Sequence, residues 1–456
     1  MISSARHRFQ QLLFAAGISP EHADGSSHTY VRCDEALDAC DASSEGRVSI
    51  WTPGRIEVFG KHTDYAGGRS LLMAVERGFV VRAAPRADAQ IRVFDPVTGH
   101  ACDAALALDA SAPAGHWSNY VASVARRVAR NFPDATIGID LAFSSDLPVA
   151  AGLSSSSALM ISVFSALAYV NRLRDTDVWQ TRLTQLTQLA GYLGAMEHGG
   201  AYRDLDGDSG VGTLGGSQDQ TAIVCAERGK LVDFGWMPVV RRGAYALPDS
   251  HCFVVGASGV VAEKSAGARE QYNRASLMVR QLLTSWNAAT SRRDSSLAMA
   301  MQSDAGAPEM LRALLGQITT ADFSVDDLRK RLDQFLLETY ELIPAAADAI
   351  ANENWSLFGE MTARSHRAAE EWLGNQVPET MALVRLATAH GAIAASAFGA
   401  GFGGSVWALV ERSRADAFID GWKGAYVSQF PDAGARAMFF RTAAGPGAMQ
   451  WSDDVL

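Results

Sequence analysis

Apolar spacing along the chain changes repeatedly, and each change marks an element. Residues 6–16 have the amphipathic spacing of a short helix, whereas residues 47–59 and 80–94 alternate or cluster as strands. Residues 117–131 return to helical spacing. Residues 136–143 read as a strand running into Leu147-Pro148 and a serine-rich loop, which opens a helix reaching about residue 171. A further helix is expected over 179–196. A polar, Gly-rich connection then occupies 197–219, short strands resume from 231, and helices dominate 263–389, weakest over 292–308. Strands over 406–410 and 438–442 close the pattern. Mixed helices and strands without a repeat predict an α+β chain, and 456 residues predict two domains, divided here as 1–199 and 200–456.

Composition narrows the class. The apolar share of 48% supplies ample core, and a net charge of -10 with no basic patch argues against nucleic acid as a partner. Cys33, Cys40, Cys102, Cys225 and Cys252 have no metal-like spacing and are odd in number, which fits reduced thiols in the cytoplasm. The longest nearly apolar run, 158–170, is too short to span a bilayer, so no membrane partner is expected.

Three segments carry chemistry. Gly152-Leu153-Ser154-Ser155-Ser156-Ser157 precedes an apolar helix, so its small residues let unpaired first-turn amides meet an anion, with the helix dipole adding ~0.3–1 kcal/mol. It lacks the lysine of a Walker A loop. Arg55-Ile56-Glu57-Val58-Phe59-Gly60-Lys61-His62-Thr63-Asp64-Tyr65 runs from a strand into a turn with Gly67-Gly68, and Phe398-Gly399-Ala400-Gly401-Phe402-Gly403-Gly404 precedes the 406–410 strand. Asp204, Asp206 and Asp208 mimic a calcium loop only superficially, since its glycine and final Glu are misplaced; a solvated loop is expected.

In their order these segments resemble the GHMP small-molecule kinases, and the first is similar to the galactokinase signature G-R-V-N-L-I-G-E-H-T-D-Y. Further similarities to galactokinases are Trp117-Ser118-Asn119-Tyr120-Val121, Gly216-Ser217-Gln218-Asp219-Gln220 where the family has G-I-M-D-Q, Tyr272-Asn273-Arg274, Ser365-His366 and Pro378-Glu379. The resemblance implies a two-domain GHMP kinase fold: an N-terminal domain like ribosomal protein S5, a C-terminal ferredoxin-like domain, and an active site in the cleft. It implies ATP and Mg²⁺ as cofactors and transfer of the γ-phosphoryl group to the anomeric hydroxyl of galactose or a related sugar. A monomer or homodimer is expected.

Phosphoryl transfer to an alcohol needs in-line positioning, neutralised phosphate charge and removal of the hydroxyl proton. Asp219 is the candidate base, a role typically worth ~10²–10⁴ in rate. Arg55 is its permanent counter-charge, free also to face the phosphoryl oxygens. The resemblance assigns ATP to Trp117, Tyr120, Gly152, Leu153, Ser154, Ser155, Ser156 and Gly401, metal to Ser156 and Glu197, and sugar to Lys61, His62, Asp64, Gly216 and Tyr272. Trp117 and Tyr120 read equally as core aromatics from the residues alone.

Departures from the family concentrate on the sugar side. Lys61 replaces Glu, turning an acceptor for the exocyclic hydroxyl into a donor, and Glu57 replaces Asn. Lys61 either pairs with Glu57 or meets an anionic substrate, which opens the alternative of a uronic acid 1-kinase. A sugar and ATP sensor without turnover is the alternative of another class, disfavoured by Asp219 and Arg55. Ala150 and Ser157 replace the family's Gly and Ala, Ser396 to Phe398 replace R-M-T, and the 200–216 connection exceeds the family's length, as a lid or specificity loop would.

Overall fold

The computed structural model describes residues 2–113, 115–149, 151–260, 266–317, 322–453 and 455. Ala150 and the helix start expected at residue 263 lie outside them. Its strands are β1 (Val48–Phe59), β2 (Arg69–Pro85), β3 (Gln90–Phe94), β4 (Ala101–Ala105), β5 (Ile139–Ser145), β6 (Lys230–Gly235), β7 (Val240–Ala246), β8 (His251–Ala257), β9 (Ala394–Phe398), β10 (Ser405–Glu411), β11 (Met438–Thr442) and β12 (Met449–Ser452). The larger sheet has the order β12-β1-β2-β5-β3-β4, with β6 and β7 added along the first part of β2. The smaller is antiparallel, β11-β8-β10-β9.

β1 is buried along its whole length because both faces of the sheet are covered. Helices α1 (Ile2–Ala16) and α2 (Pro20–Ala39) pack Phe9, Leu13 and Tyr30 on Trp51 and Val80. The alternate residues Ile50, Ile56 and Val58 join the main core with α3 (Ser118–Asn131), α4 (Ser155–Val170), α5 (Asp177–Arg182) and α6 (Leu186–His198). That core continues into Phe253, Trp407 and Phe440 of the smaller sheet, so the two sheets share it. After α7 (Gln218–Cys225), the helices α8 (Ala266–Thr290), α9 (Leu297–Gln302), α10 (Ala307–Leu315) and α11 (Val325–Leu336) enclose a separate core that rests on Ala66. Then follow α12 (Ile343–Ala351) and α13 (Trp355–Ala368), while α14 (Pro378–Ala389) and α15 (Ala415–Gln429) cover the smaller sheet.

Several expectations are corrected. The helix expected over 179–196 breaks at 183–185, where Leu183 ends α5 and a polar Gln185–Gln188 capping pair starts α6. The 80–94 strand region divides: β2 starts at Arg69, and a turn separates it from β3. The larger sheet also takes in β6, β7 and β12 from beyond residue 199. The 197–219 connection keeps Asp204 and Asp206 exposed, as expected, but buries the Asp208 carboxylate and is strapped to α3. Arg126 of α3 donates to Asp208 at 3.0 Å and to the Gly210 carbonyl, Arg127 to the Gly200 carbonyl and Asn131 to the Asp206 carbonyl.

Candidate active site

Register irregularities in the β1–β2 pairing flank Arg55, between Pro53 and Arg55 and between Glu57 and Phe59. Such bulges bend a strand and re-aim its side chains. Gly54 lets the strand pass close to the serine loop, since a Cβ would meet Leu147 Cδ2 at 2.7 Å and the Leu153 carbonyl at 3.1 Å. Arg55 crosses to the first turn of α7 and donates to Asp219 Oδ1 through Nε at 2.8 Å and Nη2 at 2.7 Å. Its Nη1 donates to the Gly152 carbonyl and its backbone N–H to the Leu153 carbonyl at 3.2 Å. One buried guanidinium therefore ties the carboxylate of Asp219 to the serine loop. The Asp219 side chain remains 32% exposed, so it can meet a ligand in the cleft.

The serine loop turns through two left-handed residues, Gly152 (φ 75°) and Ser154 (φ 62°), before α4 begins at Ser155. This opens the first-turn amides of Ser155 and Ser156, both half-buried, toward the loop's concave side. Ser154 Oγ is buried without a hydrogen-bond partner, an acceptor and donor left for a ligand or water. Leu153 is core. The Gly-rich loop closes on the same turn: Ser405 Oγ donates to the Ala151 carbonyl at 2.6 Å, and a Cβ on Gly399 would lie 3.1 Å from the Gly152 carbonyl. Gly401 (φ 85°) sits instead against Asn375, whose carbonyl a Cβ would meet at 2.2 Å.

Glu197 Oε2 accepts from Ser157 Oγ at 2.7 Å and from Gln220 Nε2. Ser157, the residue that replaces the family's Ala, was missed as a site residue; its only signal was that extra hydroxyl. Among the described residues no group of three or more His, Cys, Asp or Glu is placed to hold a metal. Magnesium needs fewer protein ligands than that, because it retains several waters. A half-buried serine hydroxyl and a carboxylate are hard oxygen donors of the kind it takes. Trp117 is half-buried, 5.7 Å from His116 and 6.1 Å edge-on to Phe143, and with Tyr120 it packs on the main core.

On the other side of Asp219, Asp64 opens a short 3₁₀ turn and its Oδ2 accepts the Gln218 backbone N–H at 3.2 Å. Gly216 must be glycine here, since a Cβ would lie 2.4 Å from that oxygen. Desolvation, reinforced by the nearby Asp219 charge, pushes the Asp64 carboxyl up to about 6. Tyr272 stands beside this pair, its ring 5.4 Å from that of His62, and burial raises its phenol well above the ordinary range. His62 faces the Ala400 carbonyl with Nε2, at 3.4 Å, and Tyr65 Oη with Nδ1, at 2.8 Å. A carbonyl only accepts, so the proton is assigned to Nε2. Burial and Arg331 push His62 down to about 4, so the ring is neutral.

Lys61 does not pair directly with Glu57. It is 1% exposed and its Nζ donates to Ser365 Oγ at 3.0 Å; Ser365 in turn donates to Glu338. Glu57 is hydrogen-bonded by Gln218 Nε2. Lys61 and Glu57 thus form no direct ion pair, although the ammonium field holds the Glu57 carboxyl below where burial alone would put it, at about 7. The reason is the helical second half: α13 supplies a hydroxyl within reach that sequence spacing could not reveal.

Residues 42–85 match the galactokinase galactose-binding signature, 119–202 the GHMP kinases N terminal domain, and 346–428 the GHMP kinases C terminal domain. The galactokinase of Chloroflexus aggregans is 29% identical over 377 residues, covering 80% of this chain and 85% of its own; that of Pasteurella multocida is 24% identical over 375, covering 81% and 87%. The crystal structure of Lactococcus lactis galactokinase complexed with galactose superposes with a TM-score of 0.73 at 22% identity, covering 91% of this chain and 98% of that one. The fold is that of the GHMP kinases, ATP-dependent enzymes with an N-terminal and a C-terminal domain. Within them, the chain belongs to the galactokinase family of sugar kinases.

Proposed function

We propose that this chain transfers the γ-phosphoryl group of ATP to the anomeric hydroxyl of galactose by direct in-line displacement. The observation that carries the reading is Arg55 bonded at once to Asp219 and to the serine loop. Asp219 accepts the hydroxyl proton as the oxygen attacks phosphorus, and Arg55 keeps that carboxylate ionised beforehand. The α4 amides hold the phosphate oxygens, Trp117 and Tyr120 take the adenine, and Asp64, His62, Tyr272 and the Gly216 backbone orient the sugar. Mg²⁺, held by Ser156 and Glu197, would neutralise charge on the β- and γ-phosphates.

A neutral sugar is favoured over a uronate because the Lys61 ammonium is committed to Ser365 in the interior. Cytoplasmic location suits an ATP-dependent reaction and five free thiols; among the described residues no helix is long and apolar enough to cross a membrane. The test is Asp219→Asn, which keeps the size but cannot take the proton. Its kcat should fall by more than about tenfold with sugar and nucleotide affinity retained. Near wild-type kcat would remove Asp219 from the mechanism, and absence of ADP release with galactose in the wild type, against release with another sugar, would overturn the substrate.

A further inference from the structure

Arg55 and Glu57 are alternate residues of β1, so their side chains leave the same face of the strand. Both end on the first turn of α7, on consecutive residues. Arg55 takes Asp219, and Glu57 takes the side-chain amide of Gln218. The other end of that amide is equally fixed: Gln218 Oε1 accepts from Ser70 Oγ at 2.6 Å, and Ser70 accepts from Trp236 Nε1 at 3.1 Å. The Gln218 backbone N–H meanwhile donates to Asp64. Gln218 therefore stands between the proton acceptor and the carboxylate that faces the sugar, bound in three directions.

Nothing about a generic galactokinase site requires this arrangement. The family places Asn and Met where this chain has Glu57 and Gln218, a pair with no carboxylate to bury. Here Glu57 is 2% exposed and Gln218 7%. A buried carboxylate is retained only where donors and counter-charges surround it. The groups acting on Glu57 are Lys61 and Arg55, which attract it, Gln218, which donates to it, and Glu338, which repels it. Lys61, the third departure from the family pattern, thereby acquires a role. It supplies positive charge to Glu57 while anchored to Ser365 of α13.

We propose that Glu57 and Gln218 are positioning residues that form a second clamp on α7, fixing Asp219 relative to Asp64, with the Lys61 ammonium as the anchored positive charge that attracts Glu57. The inference rests on the kinase reading above, since its effect is felt in turnover. It says that three substitutions, each unremarkable alone, work as a unit.

Steady-state kinetics with galactose and ATP, alongside hydrogen exchange of the α7 amides, test it. Gln218→Met should lower kcat about tenfold, leave KM for ATP within twofold, and speed exchange at the start of α7, whereas Lys61→Met, which leaves the Glu57–Gln218 hydrogen bond in place, should cost no more than Glu57→Gln. Glu57→Gln, whose amide oxygen still accepts from Gln218, should retain kcat within about threefold. The double variant Glu57→Asn/Gln218→Met, which restores the family's neutral pair, should recover most of the activity lost in Gln218→Met alone. Wild-type kcat and exchange in Gln218→Met would overturn the clamp. So would a double variant whose losses merely add, or a Glu57→Gln as damaged as Gln218→Met, since either means that only packing was at stake. Should the wild type not turn over galactose, the functional reading fails by itself, and the exchange data, which need no substrate, still decide the clamp.

Discussion

Asp64 shows the conflict between folding and function most directly. Its carboxyl is raised from 3.8 to about 6, so the folded chain binds this proton more tightly than the unfolded chain does. The sign follows: the fold is favoured below about pH 4, where both states are protonated, and loses that advantage as pH rises through 6. Glu57, raised to about 7, acts in the same sense. His62 and His366, both pushed down to about 4 chiefly by burial, act oppositely, because the folded chain must hold them neutral. Asp64→Asn removes one term only. Its melting temperature should exceed the wild type's at pH 8, by the equivalent of about 3 kcal/mol, with most of the difference gone at pH 4. Galactose affinity should drop in the same protein, because the amide no longer offers a charged acceptor. Differential scanning calorimetry at the two pH values checks the first part, and an unchanged difference between them would assign the shift to packing.

At the level of elements, what the sequence made legible and what it hid divide on physical lines. The β1 alternation, the serine loop before α4 and the strand β11 are visible because each depends on residues adjacent in the chain. Helix α2 is not, because its buried face consists of Ala23, Ser26, Ser27, Tyr30, Cys33 and Leu37, spaced as a helix requires but too small and polar to register as apolar. Asp219 and Arg55 could be proposed from the motif, yet their bond spans 164 positions, and the Lys61–Ser365 bond spans 304. The loop between α6 and α7 is the plainest case. Asp208 reads as a solvated acid, but its side chain is 3% exposed and paired with Arg126. Arg126→Ala would leave that carboxylate buried without its counter-charge, held only by the Gly210 N–H, at a cost of about 3–5 kcal/mol if the loop stayed in place. The loop should instead detach, giving faster proteolytic cleavage within 204–211 and a raised KM for the sugar, since it leads directly to Gly216. Limited proteolysis with and without galactose measures this; a cleavage rate equal to the wild type's would show that the strap is redundant.

Across the whole molecule, the larger sheet is completed by a strand from far along the chain. β12 pairs with β1 from Val48↔Ser452 to Trp51↔Met449, Trp451 packs edge-on to Phe9 at 5.7 Å, and Asp453 bonds Arg82 at 2.6 Å. A chain ended at residue 448 should melt several degrees lower and self-associate, because it bares the outer edge of a fully apolar-packed strand. Scanning calorimetry and size-exclusion chromatography check this, and a monomer of unchanged melting temperature would make β12 dispensable.

That same strand pairing has a consequence in time. β1 carries Arg55 and Glu57 and is among the first strands to be synthesised, but the residues that seal its open side are translated about 400 positions later. Throughout that interval the nascent polypeptide holds its catalytic strand with one flank unprotected, a template for any other extended segment that comes near. The two N-terminal helices, which are made before β1 and fold back over its face, are then more than a structural extension: they are the shelter available to the strand during the wait.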